Sequence, residues 1–466
     1  MEGLEISEVL LSNVKKESYS ERIDSFYFQK EFLKNKYSNA IELSNICEIN
    51  SGTTPKDRDE NLKNGIILLK TDNIRNGILT FNSEIDYFFI DNSTNNKMKS
   101  TELKNDDVLI NIVGATTDVI GRCSLLSNDF PKANITQAMA LLRIKKDYQD
   151  QVNPYFLFTF LTSKWGHKQI RRIARPTGQY NMNLQEVGSI KIPIINFDLQ
   201  NKIKSLLFES NQKKSLSQSL YGQAEELLLE TIGLKNYTPS QEKTNIKNYK
   251  ESFLETGRLD AEYYQQKYEE IIKAVKNHKE GFSRFESFID NYSTGYPYKS
   301  ETYISENGIP LVRINNITKE GLDLSNAINI PKHDLYLSEK DIASENDILI
   351  SMSGTIGLSC IVREEEQVVI NQRIMRITSK NFNPQVLSLI LNSIIGKYQL
   401  EQIGTGGVQT NISSNDIKNI IIPIIESTTQ EKIAAWINES FALRKESERL
   451  LTEAKEMVER EIEKGI

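Results

Sequence analysis

Thr177-Gly178-Gln179-Tyr180-Asn181-Met182, followed by Ile192-Pro193-Ile194-Ile195, returns as Gly407-Val408-Gln409-Thr410-Asn411-Ile412, followed by Ile422-Pro423-Ile424-Ile425. Thr177 answers to Gly407, an offset of 230 residues that holds through both phrases without a gap. Upstream the match continues with gaps. Arg22-Ile23-Asp24 answers to Arg258-Leu259-Asp260, and Leu68-Leu69-Lys70-Thr71-Asp72-Asn73 to Leu311-Val312-Arg313-Ile314-Asn315-Asn316. Asp107-Val108-Leu109-Ile110 answers to Asp347-Ile348-Leu349-Ile350, and Asn153-Pro154 to Asn383-Pro384. Solenoid repeats run about 20–50 residues, so this period marks a duplicated domain. A duplication of this kind is expected to fold with a pseudo-two-fold axis.

The chain has 466 residues, 38% hydrophobic and 26% charged, with a net charge of −6. That length suits several domains with sizeable cores. No run of about 18 apolar residues occurs, and residues 1–16 hold early acids without an apolar core, so neither a membrane span nor a secretory signal is expected. Cys47, Cys123 and Cys360 are far apart and read as buried free thiols of a cytoplasmic protein. An acidic chain repels nucleic acid as a whole, so DNA contact has to come from local patches.

Residues 40–150 read as strands and turns, including Ile66–Lys70, Val108–Val113 and Ala138–Ile144, with a polar loop at Asp91–Lys99. Asn153-Pro154 and Asn383-Pro384 have the cap-then-proline grammar of a helix start. Leu184–Ile195 reads as a short helix running into a proline-bounded strand. The expected fold class is mixed α/β (α+β) in two tandem units, joined by two long antiparallel helices. Residues 1–196 form the first unit with its leader, 197–236 the central long helix, 237–425 a linker and the second unit, and 426–466 the distal long helix.

In those helices Ile203, Leu206, Leu207, Leu220, Ala224, Leu227, Leu228 and Ile232 recur as Ile433, Trp436, Ile437, Leu450, Ala454, Met457, Val458 and Ile462. Spacings of three, four and seven give each helix one apolar stripe. Two such stripes are expected to pack on each other as a coiled-coil spacer of roughly 50 Å. Ser210, Lys214, Ser217, Arg444 and Ser447 interrupt the stripes, which predicts either loose packing there or a partner.

No catalytic constellation is visible. Asn153-Pro154-Tyr155-Phe156 approaches the Asn-Pro-Pro-Tyr/Phe motif of adenine methyltransferases but lacks its second proline, and a helix cap explains it. Gly114 to Gly121 has the wrong spacing for a P-loop, Gly404-Thr405-Gly406-Gly407 is a bare turn, and His167, His278 and His333 lack metal-ligand spacing. Lys164, Lys168, Arg171, Arg172 and Arg175 fall on one face of a helix expected from Pro154 onward, with no acid between Leu161 and Tyr180. Such a stripe tracks phosphates, or it is a solvated face. Gln179-Tyr180-Asn181 and Gln409-Thr410-Asn411 offer amides that pair with adenine edges, but their presence in both copies favours a structural turn.

The ordered set of phrases resembles the specificity subunits of type I restriction-modification enzymes. It comprises Ser51-Gly52-Thr53-Thr54-Pro55 and Gly295-Tyr296-Pro297-Tyr298-Lys299, Gly114-Ala115-Thr116 and Gly354-Thr355-Ile356-Gly357, and Gln137 and Gln372. The Ile-Pro-Ile phrases with Gln200 and Gln430 shortly after them complete it. The resemblance implies two target recognition domains reading the halves of a split double-stranded DNA target. It also implies a coiled-coil spacer, no catalysis and no cofactor in this chain. Two modification subunits would supply S-adenosylmethionine-dependent adenine methylation and recruit the restriction subunits, with no membrane involved. Recognition residues vary within the family. The candidates for DNA contact therefore rest on chemistry: Thr53, Thr54, Lys56, Lys70, Asn73, the five cations above, Gln179, Tyr180, Tyr296, Tyr298, Lys299, Arg313, Asn316, Gln409 and Thr410. The longer Ala115–Ile120 segment and the Asp91–Lys99 loop set the first copy apart, so a palindromic target is not expected. Three other readings compete: a methyltransferase with an unrecognised site, a two-headed scaffold without a DNA role, and a specificity module of a related modification system outside type I.

Overall fold

The computed structural model describes residues 8–465 apart from 18–21, 34–38, 57–58, 60, 84, 241, 243, 306, 364–366 and 405–410. Parts of the expected leader, most of the Gly404–Gly407 turn, Gln409 and Thr410 therefore lie outside the described residues. The chain divides into two units, Met1–Lys214 with Lys445–Ile466, and Ser215–Arg444.

The two units share one plan. In the first, the central sheet runs in the order Cys47–Ser51, Met139–Ile144, Val108–Asn111, Cys123–Leu126, Ile78–Leu79. In the second, the order Ile289–Ser293, Ile374–Ser379, Ile348–Ser351, Ser359–Ile361 repeats its first four strands. Each unit also has a smaller sheet built on a parallel pair, Ile67 beside Ala133 in the first and Leu311 beside Val369 in the second. The central strands are apolar on both faces, and Val108–Asn111 and Ile348–Ser351 are buried throughout. Their equivalent acids begin the strands: Asp107 takes two bonds from Arg143 at 2.7 and 2.8 Å, and Asp347 takes one from Arg376 at 3.0 Å. A buried carboxylate is tolerated because a guanidinium is held against it.

Asn153 caps the helix Pro154–Thr162 by accepting from Phe156 N, and Asn383 caps Pro384–Asn392 through Gln385 N. The methyltransferase-like phrase is thus a helix start. Phe156, Phe158 and Phe160 fill the first core. The polar stretch Asp91–Lys99 is not a loop: Asp91 caps a short helix, Asn92–Lys97, through Thr94 N. Short polar side chains lower helix propensity, but the cap satisfies the exposed donors of the first turn.

The long helices span Phe197–Ile232 and Ser427–Lys464, 36 and 38 residues. Each unit holds half of each. In the first unit Ile203 and Leu207 share a core with Ala454, Val458 and Ile462. In the second, Ala224, Leu228 and Ile232 share one with Ile433, Ala434 and Ile437. Leu220 and Leu450 are buried, while Leu227 and Met457 flank the contact. The helices run antiparallel, and each half also anchors the core of its unit, so spacer and core helix are one element.

The serines of the polar interruption pair with one another across the two helices. Ser210 Oγ donates to Ser447 O at 2.8 Å and Ser447 Oγ donates back to Ser210 O at 2.7 Å. In the second unit Ser440 Oγ donates to Ser217 O at 2.7 Å, with the two hydroxyls 3.0 Å apart. The repeat maps Ser210 onto Ser440 and Ser217 onto Ser447, so the two contacts are one motif used twice. Small side chains let the backbones approach, and three of the four hydroxyls donate to a carbonyl across the interface while Ser217 Oγ meets Ser440 Oγ. Ser210→Leu is expected to lower stability by about 1–3 kcal/mol through overpacking, and Ser210→Ala by about 1 kcal/mol through one lost bond. Urea unfolding checks both, and a Leu variant as stable as wild type would contradict the close contact.

Candidate nucleic-acid interface

The glycine of each opening phrase brings three segments together. In the first unit a Cβ on Gly52 would lie 1.9 Å from Ile135 O, so only glycine allows this approach. Thr53 N donates to Ile135 O, Thr136 N to Leu69 O, and Ile112 N to Ala138 O, at 3.0 to 3.2 Å. The same wiring recurs in the second unit. A Cβ on Gly295 would lie 2.1 Å from Asn371 O, Tyr296 bridges Asn371, Asn371 N donates to Val312 O and Met352 N to Arg373 O. One edge thus gathers Thr53, Lys70 and the turn Gln137-Ala138 in one unit. The equivalent edge gathers Tyr296, Arg313 and the turn Gln372-Arg373 in the other.

Exposure differs sharply among the candidates. Thr53, Lys56, Gln179 and Lys299 are exposed, and Thr54, Lys70, Tyr180, Tyr296 and Arg313 are half-buried. Lys70 Nζ lies 3.1 Å from the centre of the Phe88 ring. Asn73 and Asn316 accept from Lys70 N and Arg313 N at 2.8 and 2.9 Å, which shapes the turn after each strand. Asn316 is buried and also donates to Asp323 O. Tyr298 is buried, its hydroxyl 2.6 Å from Ser338 Oγ, and burial pushes its phenol up.

Gln179–Asn181 is a strand, not a turn. Arg175–Thr177 and Gln179–Asn181 form a hairpin about Gly178, and Tyr180 pairs with Gly114. The helix cap falls to Asn183, which accepts from Glu186 N while Glu186 accepts from Asn183 N. In the second unit Ser413 and Asp416 do the same, and Asn411 bridges Ser353.

The five cations do not share one helix face. Ser163 ends the helix Pro154–Thr162 and caps a second one, Lys164–Ile173, and Arg175 lies beyond it on the hairpin. Lys164 meets Glu463 at 2.5 Å and Glu459 at 3.7 Å on the distal long helix. Arg172 donates to Tyr27 O at 3.0 Å with its guanidinium over the Tyr27 ring, and Arg175 pairs with Glu186 at 2.9 Å. Lys168 lies 5.7 Å from the Trp165 ring. Arg171 is exposed. His167 is held below its usual value, first by burial and then by Lys455 and Arg171, and burial also lowers Lys455.

Sequence reading passed over one residue at this edge. Of six non-glycine residues with positive φ among the described residues, five are Asn or Asp; the sixth is Arg373 at φ 71°. Asn and Asp tolerate this region, whereas a longer side chain pays roughly 1–2 kcal/mol there. Arg373 is exposed and forms no hydrogen bond or ion pair with its side chain among the described residues. Its counterpart, Ala138, does not have positive φ. Neither spacing nor composition could signal it.

Residues 279–449 match the family model described as the type I restriction modification DNA specificity domain. The first unit repeats that segment's sequence phrases and its strand order. The second unit is thus similar to a type I DNA specificity domain. The EcoBI specificity subunit of Escherichia coli is 27% identical over 139 residues, 29% of this chain and 29% of that protein. The match thus spans under a third of that relative's length. The S subunit of M. genitalium aligns over 93% of this chain and 97% of its own at 12% identity, TM-score 0.43. HsdS of Thermoanaerobacter tengcongensis aligns over 93% and 98% at 13% identity, TM-score 0.27.

No described helix is long and apolar enough to cross a membrane, and no cluster of metal-ligand residues occurs among the described residues. Cys47, Cys123 and Cys360 are buried and not in disulfides, and burial pushes the Cys47 thiol up to about 12. If the basic helix touches DNA, Arg171 is the residue placed to do so. Arg171→Ala is expected to reduce the salt slope of binding by about one without loss of stability, whereas Arg172→Ala costs roughly 1–2 kcal/mol of stability. Binding titrations across salt concentrations check this, and an unchanged slope would make Arg171 a solvated surface charge.

Proposed function

We propose that this chain is the DNA-specificity subunit of a type I restriction-modification complex, acting in the cytoplasm. Each unit reads one half of a split double-stranded target, and the paired long helices act as the spacer that sets the gap. The observation that carries this reading is the duplicated edge. Similar backbone wiring in both units presents different side chains, Thr53, Lys56 and Gln137 in one and Tyr296, Lys299, Gln372 and Arg373 in the other. A constant frame with a varied rim suits two unlike half-sites, so the target is asymmetric.

The chain itself catalyses nothing in this reading. Two modification subunits bind it, hold S-adenosylmethionine and methylate adenine, and restriction subunits join through them. Three of this chain's glycines pack against the chain itself. A Cβ on Gly114 would meet Ile120 N, one on Gly121 the Ile170 side chain, and one on Gly357 the Leu400 side chain, so these glycines receive the chain's own atoms. The same features suit a specificity module of a related modification system outside type I; the identity of its partners separates the two.

Long-read methylation mapping tests the proposal in cells carrying this gene with its cognate methyltransferase, against cells lacking it. A split adenine-methylated motif that appears only with this gene is the expected result. Unchanged methylation with the methyltransferase shown to be active would contradict it and favour a scaffold.

A further inference from the structure

We infer that Arg373 reads a guanine in the half-site taken by the second unit, donating two hydrogen bonds from its guanidinium to guanine O6 and N7 in the major groove. The inference rests on the DNA-recognition function proposed above. An arginine fork matches that pair of acceptors, and no other base presents the same pattern there. Arg373 stands at the exposed turn between Val368–Ile370 and Ile374–Ser379, next to where the opening phrase and the strand Ile309–Val312, which Arg313 follows, meet. Its backbone is fixed from two sides: Met352 N donates to Arg373 O at 2.8 Å, and the preceding Gln372 N donates to Tyr296 O at 3.2 Å.

A rigid base with a long cationic arm is what positioned readout of a base edge requires. The arm has no ion-pair partner among the described residues, so DNA would not have to displace one. Asn or Gly would fill a left-handed turn at lower cost, and the five other such non-glycine positions among the described residues do carry Asn or Asp. A costly residue held at an exposed turn points to a role for its side chain. Half-buried Arg313, whose Nε is buried without a hydrogen-bond partner among the described residues, adds a second cation at the same edge. Ala138 stands at the matching turn of the first unit, so the guanine contact belongs to one half-site only.

Methylation mapping of cells expressing wild type, Arg373→Gly or Arg373→Lys with the cognate methyltransferase tests this. Glycine suits the left-handed turn, so that variant keeps the fold. Its expected motif retains both half-sites and the gap but is relaxed at one guanine of one half, with discrimination there reduced roughly 10–100-fold. The lysine variant keeps the charge without the fork, and partial relaxation at the same position is expected. An unchanged motif in the glycine variant would overturn the assignment, as would relaxation in both halves. Loss of all modification with the complex intact would do so too, by making Arg373 an affinity or assembly residue. A wild-type chain that adds no split motif would instead refute the DNA-recognition function itself.

Discussion

Two helices of 36 and 38 residues each carry an apolar stripe, and water would penalise either stripe left uncovered. Their mutual burial is the constraint on which everything else rests. The contact is tight at the serines, where backbones approach and the hydroxyls of Ser210, Ser440 and Ser447 each donate to a carbonyl on the other helix. Polar residues at a helix interface weaken it only when their groups go unpaired.

Around that pair a small set of polar clamps holds each unit, and every clamp appears twice. Gln200 accepts from Asn153 N at 2.9 Å and donates to Gln151 O and Ile195 O. Gln430 accepts from Asn383 N and donates to Ile425 O. The glutamine after each Ile-Pro-Ile phrase therefore ties the start of a long helix to the start of a capped one. Gln169 and Gln399 similarly bond both backbone groups of Lys191 and Ile421. Arg22 and Arg258, each braced by the aspartate two residues on, donate to the carbonyls of Ile173 and Ile403. Positive charge at a helix end meets carbonyls that lack partners of their own. These satisfied clamps fix the frame and leave the edge residues free to differ.

The repeat, the capped helices and the long stripes were legible because periodicity and cap chemistry are local signals. The roles of Gln200 and Gln430 were visible as recurrence but not as function, since their partners lie across the fold. The basic stripe misled. Five cations at helical spacing presuppose one helix, and Ser163, whose hydroxyl takes Gly166 N, begins a new one. The Gln-x-Asn phrase was read as a turn because its pairing partner, the Val113-Gly114 strand, is distant in sequence. Arg373 was invisible for a different reason: its significance lies in a φ angle and an unpaired side chain, neither of which residue identity reports.

The length of the paired helices is the quantity that the proposed spacer role depends on. The most direct measurement inserts one helical turn, about four residues, after Lys213 and at the equivalent place after Leu443, and then maps the methylated motif. Each insertion adds roughly 6 Å of helix, so the gap should lengthen by about two base pairs with both half-sites unchanged. An unaltered gap between intact half-sites would show that the helices do not set the spacing.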